Sequence, residues 1–451
     1  MAATSQVQVA EFIDQRPIGR FQIGVMVWCF LVIFFDGFDT QTIGVVAPLL
    51  AKSLGIERAA FGLVFTSGLV GLMVGCIVCG VLADWYGRKY VIIGCAALFG
   101  LTSLATVLAT TVSQLLVLRF LTGAGLGGAL PLAVALMAEY APRRRQATIV
   151  TIMACSFSVG AGIGGLVASR LLPIYGWQSM FYVGGIAPLV LIPFLIRYLP
   201  ESIKLLVLVK KANTKIAEIM QRIGPDVTFA PGTTFVIREE KLEGFSAQHL
   251  FTDGRMLMTI FLWAAFVLNY TVLYFLQSWL VTIVHNAGLT VEQSALSLAM
   301  FQVGATVGAI VLGRLSDSFG FYWILGLAFV CASVSLAFLG FAGTSMIALT
   351  VFAVGFFVVG GQFGAIALSG AVYPTAIRST GVGWALAIGR IGSIGGPLVG
   401  GLLLSLNWPM RDMFLIAAVP ALGAALAIYF MSRARPRGMV DADARFLAQQ
   451  T

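Results

Sequence analysis

The chain has 451 residues, of which 59% are hydrophobic and only 10% are charged, and its mean hydropathy is +0.95. Soluble domains carry roughly 25% charged residues, so this composition excludes a soluble globular protein. The net charge of +9 does not indicate a nucleic-acid partner, because the basic residues are spread along the segments between apolar stretches and form no single patch.

The apolar stretches predict an all-α membrane protein. Twelve of them are long enough to cross a bilayer as helices, and their unbroken hydrophobicity excludes the alternating strands of a membrane barrel. Six spans precede a long polar stretch and six follow it. This predicts an N-terminal six-helix bundle at 1–199, a cytoplasmic linker at 200–255 and a C-terminal six-helix bundle at 256–451. The spans are predicted at approximately 22–50, 61–83, 90–110, 113–139, 148–170, 178–199, 258–284, 293–313, 322–341, 345–372, 381–404 and 411–432.

The segment before the first span contains Glu11, Asp14, Arg16 and Arg20 and no apolar core, so a secretory signal peptide is not expected. Of the 28 Lys and Arg residues, 22 lie on the same side of the predicted spans as the two termini, four lie on the opposite side and two lie within spans. By the positive-inside rule, both termini are predicted to face the cytoplasm.

Two acidic residues, Asp36 and Asp39, lie in the first span, in the run FFDGFDTQTIG. They are three residues apart and therefore share one helical face. A carboxylate in hydrocarbon is costly and marks substrate sites or proton pathways; the alternative is a structural ion pair, which adds little net stability. Burial disfavours the charged form of a carboxylate, so either residue can take up a proton and release it when water or an arginine approaches. Both are predicted to couple transport to protons.

The sequence around the loop after the second span occurs twice. GVLADWYGRK, from Gly80, recurs as GRLSDSFGFY, from Gly313, at an offset of 233 residues, and the same offset pairs Tyr140 with Tyr373. Several matches in one register predict a duplicated six-helix unit.

Two arginines, Arg119 in the fourth span and Arg390 in the eleventh, lie well within predicted spans, one in each half. Each presents a fork of donors suited to a carboxylate, so both are predicted to bind an anionic substrate; the alternative is an arginine that extends to the membrane surface. We hypothesise that a proton neutralises one aspartate, frees an arginine for the substrate carboxylate and lets the two halves rock. Glu139, near the inner end of the fourth span, either joins a proton exit route or pairs locally with the arginines at 143–145.

The polar stretch in the middle of the chain begins with SIKLLVLVKKANTKIAEIMQRIG, from Ser202. Apolar and basic positions alternate there as in a helix lying on the inner membrane surface. We interpret the whole stretch as a solvated linker with some helix, and the alternative is a dedicated binding module.

Several motifs resemble those of a known family. GVLADWYGRK resembles the loop signature of the major facilitator superfamily, Arg119 with Gly123, Gly125 and Gly127 resembles its fourth-helix signature, and PES after the sixth span also recurs there. Within that superfamily, DGFDTQTIGVVAPLL in the first span and GVGWALAIGRIGSIGGPLVGG in the eleventh resemble the aromatic acid:proton symporter family. This resemblance implies two pseudo-symmetric six-helix bundles and import of hydroxybenzoates, protocatechuate or hydroxyphenylpropionates for degradation, with the individual substrate left open.

The repeated loop is predicted to act in gating. Gly80 and Gly87 permit close packing and a turn, and Asp84 can accept hydrogen bonds from a helix N-terminus or pair with nearby arginines. The resemblance implies that the loop stabilises one state of the transport cycle. The second copy has Phe321 and Tyr322 where the first has two basic residues, so we expect the first copy to have the larger role. The predicted gating residues are Gly80, Asp84, Gly87, Arg88, Lys89, Arg145 and Asp317.

An aromatic substrate also needs side chains that contact its ring. Gln362 and Trp384 rank first, because both lie in the second half near Arg390 and because polar side chains of membrane helices turn inward. Aromatic side chains in spans can instead face lipid or the core. The predicted substrate-binding residues are Arg119, Arg390, Gln362, Trp384, Phe38, Tyr270 and Gln277, with Phe35, Asn269, Tyr274 and Trp279 as further candidates.

All six cysteines lie in predicted spans, and the chain has only two histidines. We interpret the cysteines as packing residues and expect no metal, no cofactor other than the coupling proton, and no enzymatic activity. The sequence predicts a monomeric, proton-coupled importer of an aromatic carboxylate in the bacterial inner membrane. The alternatives are a symporter of another organic acid, an efflux transporter, or a transporter-like chemoreceptor that binds aromatic acids without accumulating them.

Overall fold

The structure is a computed structural model that describes residues 6–57, 60–210, 212–227, 229, 233–237, 248–252, 254–343, 346–373 and 377–434. Parts of the predicted linker, including 238–247, therefore lie outside the described residues. The elements, in chain order, are β1 (Gln6–Gln8), α1 (Val9–Asp14), α2 (Arg20–Leu54), α3 (Phe61–Tyr86), α4 (Arg88–Thr106), α5 (Val112–Tyr140), α6 (Arg143–Tyr175), α7 (Gln178–Tyr198), α8 (Ile203–Leu205), α9 (Asn213–Ile223), β2 (Thr234–Val236), α10 (Met256–Asn286), α11 (Val291–Phe319), α12 (Phe321–Leu339), α13 (Ile347–Val372), α14 (Arg378–Ser405) and α15 (Met410–Arg433).

Within this described part of the chain, twelve helices are long and apolar enough to cross a membrane: α2 to α7 and α10 to α15. Each coincides with one predicted span, so the predicted all-α architecture is confirmed. The helices extend a few residues beyond the apolar stretches, because polar residues continue a helix until a turn ends it. Gly87 alone joins α3 to α4 with a φ of 106°, and Gly320 alone joins α11 to α12 with a φ of 89°.

The chain packs into two units, one formed by Met1–Leu50 and Ser67–Glu240 and the other by Ala51–Thr66 and Lys241–Thr451. Residues 51–66 belong to the second unit because the start of α3 packs on its helices: the Phe65 ring lies 4.9 Å from the Trp279 ring. The division into two bundles and a linker remains a prediction.

The predicted duplication is visible in how the helices of each unit approach one another. A Cβ added to Gly71 on α3 would collide with the backbone of Phe120 on α5, and a Cβ added to Gly304 on α11 would collide with the backbone of Phe352 on α13. These pairs are related by the sequence offset of the repeat to within one residue. Small residues at equivalent positions let both helix pairs pack backbone to backbone.

The N-terminal segment and the start of the linker form a small substructure of the first unit. Strand β1 pairs in parallel with β2, with Gln6 opposite Thr234. The apolar side of α9, which carries Ile216 and Met220, is buried in the core of this unit together with Ile13 of α1. The apolar side of this helix therefore packs on protein and not on lipid, which differs from the pattern expected of a helix lying on the membrane surface. An ion pair of 3.1 Å between Arg16 and Asp226 links the N-terminal segment to the linker on the exposed side of this substructure.

Candidate functional site

The DGFD motif of α2 combines a glycine in close contact with another helix and three buried side chains. Gly37 faces α6 so closely that a Cβ would collide with the Phe157 carbonyl. Phe38 is buried and contacts the glycines of α6 and α7 at 164 and 184. Asp39 contacts α4 and α5, and its Oδ1 also lies beside Gly184 of α7. The motif therefore places two buried carboxylates next to a close helix contact.

Asp39 lies at the centre of a buried polar cluster in the first unit. Its Oδ1 accepts a hydrogen bond of 2.6 Å from Ser103 Oγ on α4, and its Oδ2 lies 3.6 Å from Arg119 Nη1 on α5. Arg119 Nη2 donates a 2.9 Å hydrogen bond to Thr106 Oγ1, and the Arg119 guanidinium lies 5.1 Å from the Phe181 ring. This geometry places an acid of the first span beside an arginine of the fourth, an arrangement in which a proton on the acid can free the arginine.

The contact between Asp39 and Arg119 is loose for a buried ion pair. Their side chains are only 0% and 4% exposed, but 3.6 Å exceeds the roughly 2.7–2.9 Å of a charge-assisted hydrogen bond. Asp39 Oδ2 and Arg119 Nε have no hydrogen-bond partner in the described part of the chain. Each group thus keeps bonding capacity for a proton or an anion. Such a pair can open at a lower cost than one locked by two short hydrogen bonds.

Asp36 is also buried, at 2% exposure, but its surroundings differ. Its Oδ1 accepts a hydrogen bond of 3.2 Å from Thr40, one turn further along α2. Asp36 also interacts electrostatically with Cys95 on α4, while Asp39 contacts Ser103 two turns further along that helix. Both acids therefore face α4, and Asp39 is the one that the structure pairs with Arg119.

The second unit holds its own buried polar residues. Arg390 Nη1 on α14 donates a 2.9 Å hydrogen bond to the Tyr274 hydroxyl on α10, and the Tyr274 ring stands edge to face against Tyr270 at 5.7 Å. Asn269 Nδ2 donates a 2.7 Å hydrogen bond to Gln362 Oε1 on α13. Asn269, Tyr270 and Tyr274 lie on neighbouring turns of α10, where Gln362 of α13 and Arg390 of α14 contact them. Of these five residues, Arg390, Gln362 and Tyr270 were predicted to bind substrate.

Two other predicted substrate residues lie apart from these contacts. Trp384 is 38% exposed and stacks on Trp263 at a ring distance of 6.0 Å. Gln277 is half-buried on α10. Their roles in substrate binding, like that of the buried Phe38, remain predictions.

Glu139 takes part in a local network at the end of α5. Its Oε1 forms an ion pair with Arg88, and its Oε2 accepts a 2.8 Å hydrogen bond from Ser202 Oγ and a 3.4 Å one from the Lys204 backbone. Glu139 is therefore paired locally, and its predicted part in a proton exit route stays a prediction. The partner is Arg88 of the gating loop, whereas the arginines at 143–145 were expected.

Glu201, to which no role was assigned from the sequence, forms hydrogen bonds with the backbone of the gating loop. Its Oε1 accepts hydrogen bonds of 3.3 Å from the Lys89 backbone and 2.8 Å from the Ser202 backbone. A carboxylate at the start of α4 is favoured by the helix dipole, and a Cβ on Gly87 would collide with it. Lys89 Nζ donates to the Ile196 carbonyl at 2.7 Å. The loop is therefore held against the end of α7.

Other predicted gating residues have different surroundings. Asp84, Arg145 and Asp317 are exposed, and in the described part of the chain Arg88 pairs with Glu139, not with Asp84. The close packing expected at Gly80 is not found, because a Cβ there would meet no described atom within 4 Å. Their predicted part in gating is untested.

We expect Gly87→Ala to lower the apparent melting temperature of the purified protein and its uptake activity. The left-handed backbone costs a non-glycine residue about 1–3 kcal/mol, and the collision with Glu201 adds to this. Gly320 has a similarly strained backbone, but an added Cβ would meet no described atom there. Gly80 has no strained backbone, and an added Cβ would meet no described atom there either. The expected order of destabilisation is Gly87, then Gly320, then Gly80. Equal melting temperatures for Gly87→Ala and Gly80→Ala would contradict the role of Glu201.

Comparisons with known proteins agree with this architecture. The family model described as "Major Facilitator Superfamily" matches residues 29–299 and 262–447. The chain is similar in fold to the xylose transporter XylE from E. coli, with a TM-score of 0.70, 17% identity, and coverage of 90% of this chain and 95% of that one. It is also similar to a bacterial homologue of the human lysosomal transporter Spinster, with a TM-score of 0.72, 17% identity, and coverage of 93% and 98%.

Closer relatives are found by sequence. The chain is 38% identical to a gallate transporter of Pseudomonas putida, covering 96% of each chain, and 37% identical to the 4-hydroxybenzoate transporter PcaK of the same organism, covering 94% of this chain and 95% of the relative. It is 34% identical to a 3-(3-hydroxy-phenyl)propionate transporter of Escherichia coli K12, covering 92% and 95%.

Proposed function

The chain belongs to the Major Facilitator Superfamily and, within it, to the family of the aromatic acid transporters, and we propose that it takes up an aromatic carboxylate together with a proton by alternating access. Members of this family are transporters and not enzymes. The relatives are named for gallate, 4-hydroxybenzoate and 3-(3-hydroxyphenyl)propionate, which share a carboxylate and a hydroxylated ring. We assign the same substrate class to this chain.

The observation that carries the proposal is the buried pair of Asp39 and Arg119, 3.6 Å apart. An organic anion that enters a membrane protein needs a cation, and an arginine already neutralised by a carboxylate cannot supply one at full strength. Protonation of Asp39 removes that competition, so Arg119 can then bind the substrate carboxylate. Proton and substrate therefore bind together, and each favours the other.

The return step follows from the same pair. When the substrate leaves, Arg119 again lies beside Asp39 without another anion, and its positive charge favours loss of the proton. Asp36, one turn earlier on α2, is proposed to pass the proton along the helix. Ser103 and Thr106 keep the two partners in place, through 2.6 Å and 2.9 Å hydrogen bonds.

The second unit has polar groups of its own, and we propose from their chemistry that they can bind a hydroxylated ring or a carboxylate. Asn269 Oδ1 is buried and has no hydrogen-bond partner among the residues described. A buried amide group without a partner loses about 1–3 kcal/mol, which a ring hydroxyl can restore. Arg390, which donates a hydrogen bond to Tyr274, is proposed as the cation of this unit that can bind a carboxylate.

The location is part of the proposal. The chain is a multi-pass bacterial membrane protein, and the distribution of Lys and Arg supports the inner membrane with both termini in the cytoplasm. In this orientation, the junction of α3 and α4 and the network of Glu139, Arg88 and Glu201 lie on the cytoplasmic side. We further propose that the protein acts as a monomer.

Uptake by the purified protein in proteoliposomes tests the function. With an outside pH below the inside pH, we expect accumulation of labelled gallate, 4-hydroxybenzoate, protocatechuate or 3-hydroxyphenylpropionate above the equilibrium level, and a loss of accumulation when a protonophore removes the gradient. Binding without accumulation would instead indicate a receptor. Accumulation only with the opposite gradient would indicate efflux, and transport of non-aromatic acids alone would indicate another symporter.

A further inference from the structure

A cavity of about 280 Å³ in the first unit is lined by three arginines from three different elements. Arg20 lies at the start of α2, Arg197 near the end of α7, and Arg222 on the linker helix α9. All three are exposed, and none forms an ion pair with a residue that the structure describes. Three unbalanced guanidinium groups around one small cavity form a strong site for an anion.

An apolar groove begins at the same place. It has a volume of about 600 Å³ and runs between α2 and α7, and its lining includes Leu31, Phe35, Ile186 and Phe194. Trp28 lines both the groove and the arginine cavity, so the two adjoin at this residue. From the position of Phe194 to that of Tyr182, the far lining residue on α7, the helix rises about 18 Å. This exceeds half of the roughly 30 Å hydrocarbon core.

Aromatic rings mark the junction between cavity and groove. Trp28 stacks on Tyr198 with ring centroids 5.7 Å apart and on Phe194 at 5.8 Å. The Arg222 guanidinium lies 5.9 Å from the Phe21 ring. Tryptophan and tyrosine are enriched at the depth of lipid headgroups, so this junction separates a headgroup region from an acyl-chain region.

We propose that the cavity and groove together bind one anionic phospholipid of the cytoplasmic leaflet. Its phosphodiester lies among Arg20, Arg197 and Arg222, where the planar guanidinium groups can donate paired hydrogen bonds, and one acyl chain lies in the groove along α2 and α7. Charge selects an anionic headgroup, because the lining carries three positive side chains and no acidic one. The length and the apolar lining of the groove favour a lipid over a free anion.

Occupancy has a consequence for the transporter. The site joins α2, which carries Asp36 and Asp39, to α7 and to the linker helix α9, three elements distant in sequence. A bound lipid therefore ties the linker to the helix that carries the proposed proton site. The lipid site is a separate assignment from the transport function, and its test does not depend on the substrate or on the orientation.

Binding of phosphatidylglycerol to the purified full-length protein in a neutral detergent tests the proposal by native mass spectrometry. We expect one tightly retained phosphatidylglycerol per chain and at least tenfold weaker retention of zwitterionic phosphatidylethanolamine. Each arginine near a membrane surface contributes roughly fivefold to anionic lipid affinity, so R20Q/R197Q/R222Q should weaken binding roughly 100-fold. The matched control R170Q/R314Q/R433Q removes three exposed arginines from elsewhere and should change binding less than threefold.

The groove is tested separately. Ala187→Phe, or Val190→Trp at a more exposed lining position, should weaken phosphatidylglycerol binding at least tenfold while all three arginines remain. Equal losses in the two triple variants would overturn the proposal, since binding would follow net charge alone. Displacement of phosphatidylglycerol by an equal concentration of inorganic phosphate, or unchanged binding in both groove variants, would reduce the site to one for a small anion and would also overturn it.

Discussion

Replacing Asp39 with asparagine is expected to abolish accumulation of the aromatic acid against its concentration gradient, so that the ratio of inside to outside substrate falls to about one. Asparagine has nearly the same shape but cannot ionise. Arg119 then has no competing carboxylate at any pH, as if Asp39 were permanently protonated. We therefore expect substrate affinity to become independent of pH and to rise, while exchange of labelled for unlabelled substrate continues. The measurement is counterflow beside pH-driven uptake in proteoliposomes.

Two variants control this experiment. Asp36→Asn changes a second buried acid on α2 but retains the pair, so it should slow uptake while substrate affinity remains pH-dependent. Removing one partner of a buried pair costs about 3–5 kcal/mol of stability. A second variant must therefore distinguish the loss of the proton site in D39N from a loss of folding. D39N/R119Q removes both charges; it should fold like the wild type and bind no carboxylate. Retained pH-driven accumulation in D39N would refute the assignment of Asp39.

Arg119→Lys is expected to raise the KM for the aromatic acid about 10- to 100-fold, although the positive charge is kept. Hydrogen bonds to charged groups contribute about 1.5–3 kcal/mol each, and a lysine cannot bind Thr106 and also present a planar fork to a carboxylate. Initial rates of uptake at varied substrate concentration measure the effect. Asp39 retains a cation beside it, so we expect the dependence of uptake on the pH gradient to persist.

The second unit supplies the comparison for Arg119. Arg390→Lys removes an equivalent fork that is held by Tyr274, without touching the pair in the first unit. Because Arg390→Lys leaves the pair of Asp39 and Arg119 intact, the pH dependence of substrate affinity should be unchanged in that variant. A KM in Arg119→Lys within twofold of the wild type would contradict direct binding of the carboxylate by Arg119.

The helices could be predicted from the sequence because length and hydropathy alone decide whether a segment can cross a membrane. The residues at which the helices end could not be predicted in this way. The helices α3 and α11 continue through polar residues as far as Gly87 and Gly320, where a glycine conformation ends them. The pairing of β1 with β2 was also missed, because three-residue strands separated by most of the first unit leave no periodic signal.

The charged members of the candidate site could be found because ionisable residues within spans are rare and costly. Their partners could not be chosen in the same way. Ser103, Thr106 and Tyr274 look like many other hydroxyl residues in membrane helices, and only the packing of α4, α5 and α10 identifies them. Gln41 was missed for the same reason: it is buried, with both amide atoms lacking a hydrogen-bond partner in the described structure.

Rotation around the helix axis separates some of the predicted aromatic residues from the charged ones. Phe38 follows directly after Gly37 and lies beside Gly164 of α6, whereas Asp39 bonds to Ser103 of α4 and pairs with Arg119 of α5. Trp384 lies six residues before Arg390 on the same helix, which places the two side chains on different faces. Proximity in sequence therefore gave little information about which side chains meet.

The central claim is that a proton on Asp39 releases Arg119 for the substrate, and it is tested most directly by counting protons as substrate binds. A pH indicator in weakly buffered detergent solution can follow addition of the best substrate to the purified protein. The wild type should take up about one proton per bound molecule near neutral pH, and D39N should take up none. Equal proton uptake by D39N and the wild type, or binding by the wild type without any proton uptake, would contradict the claim.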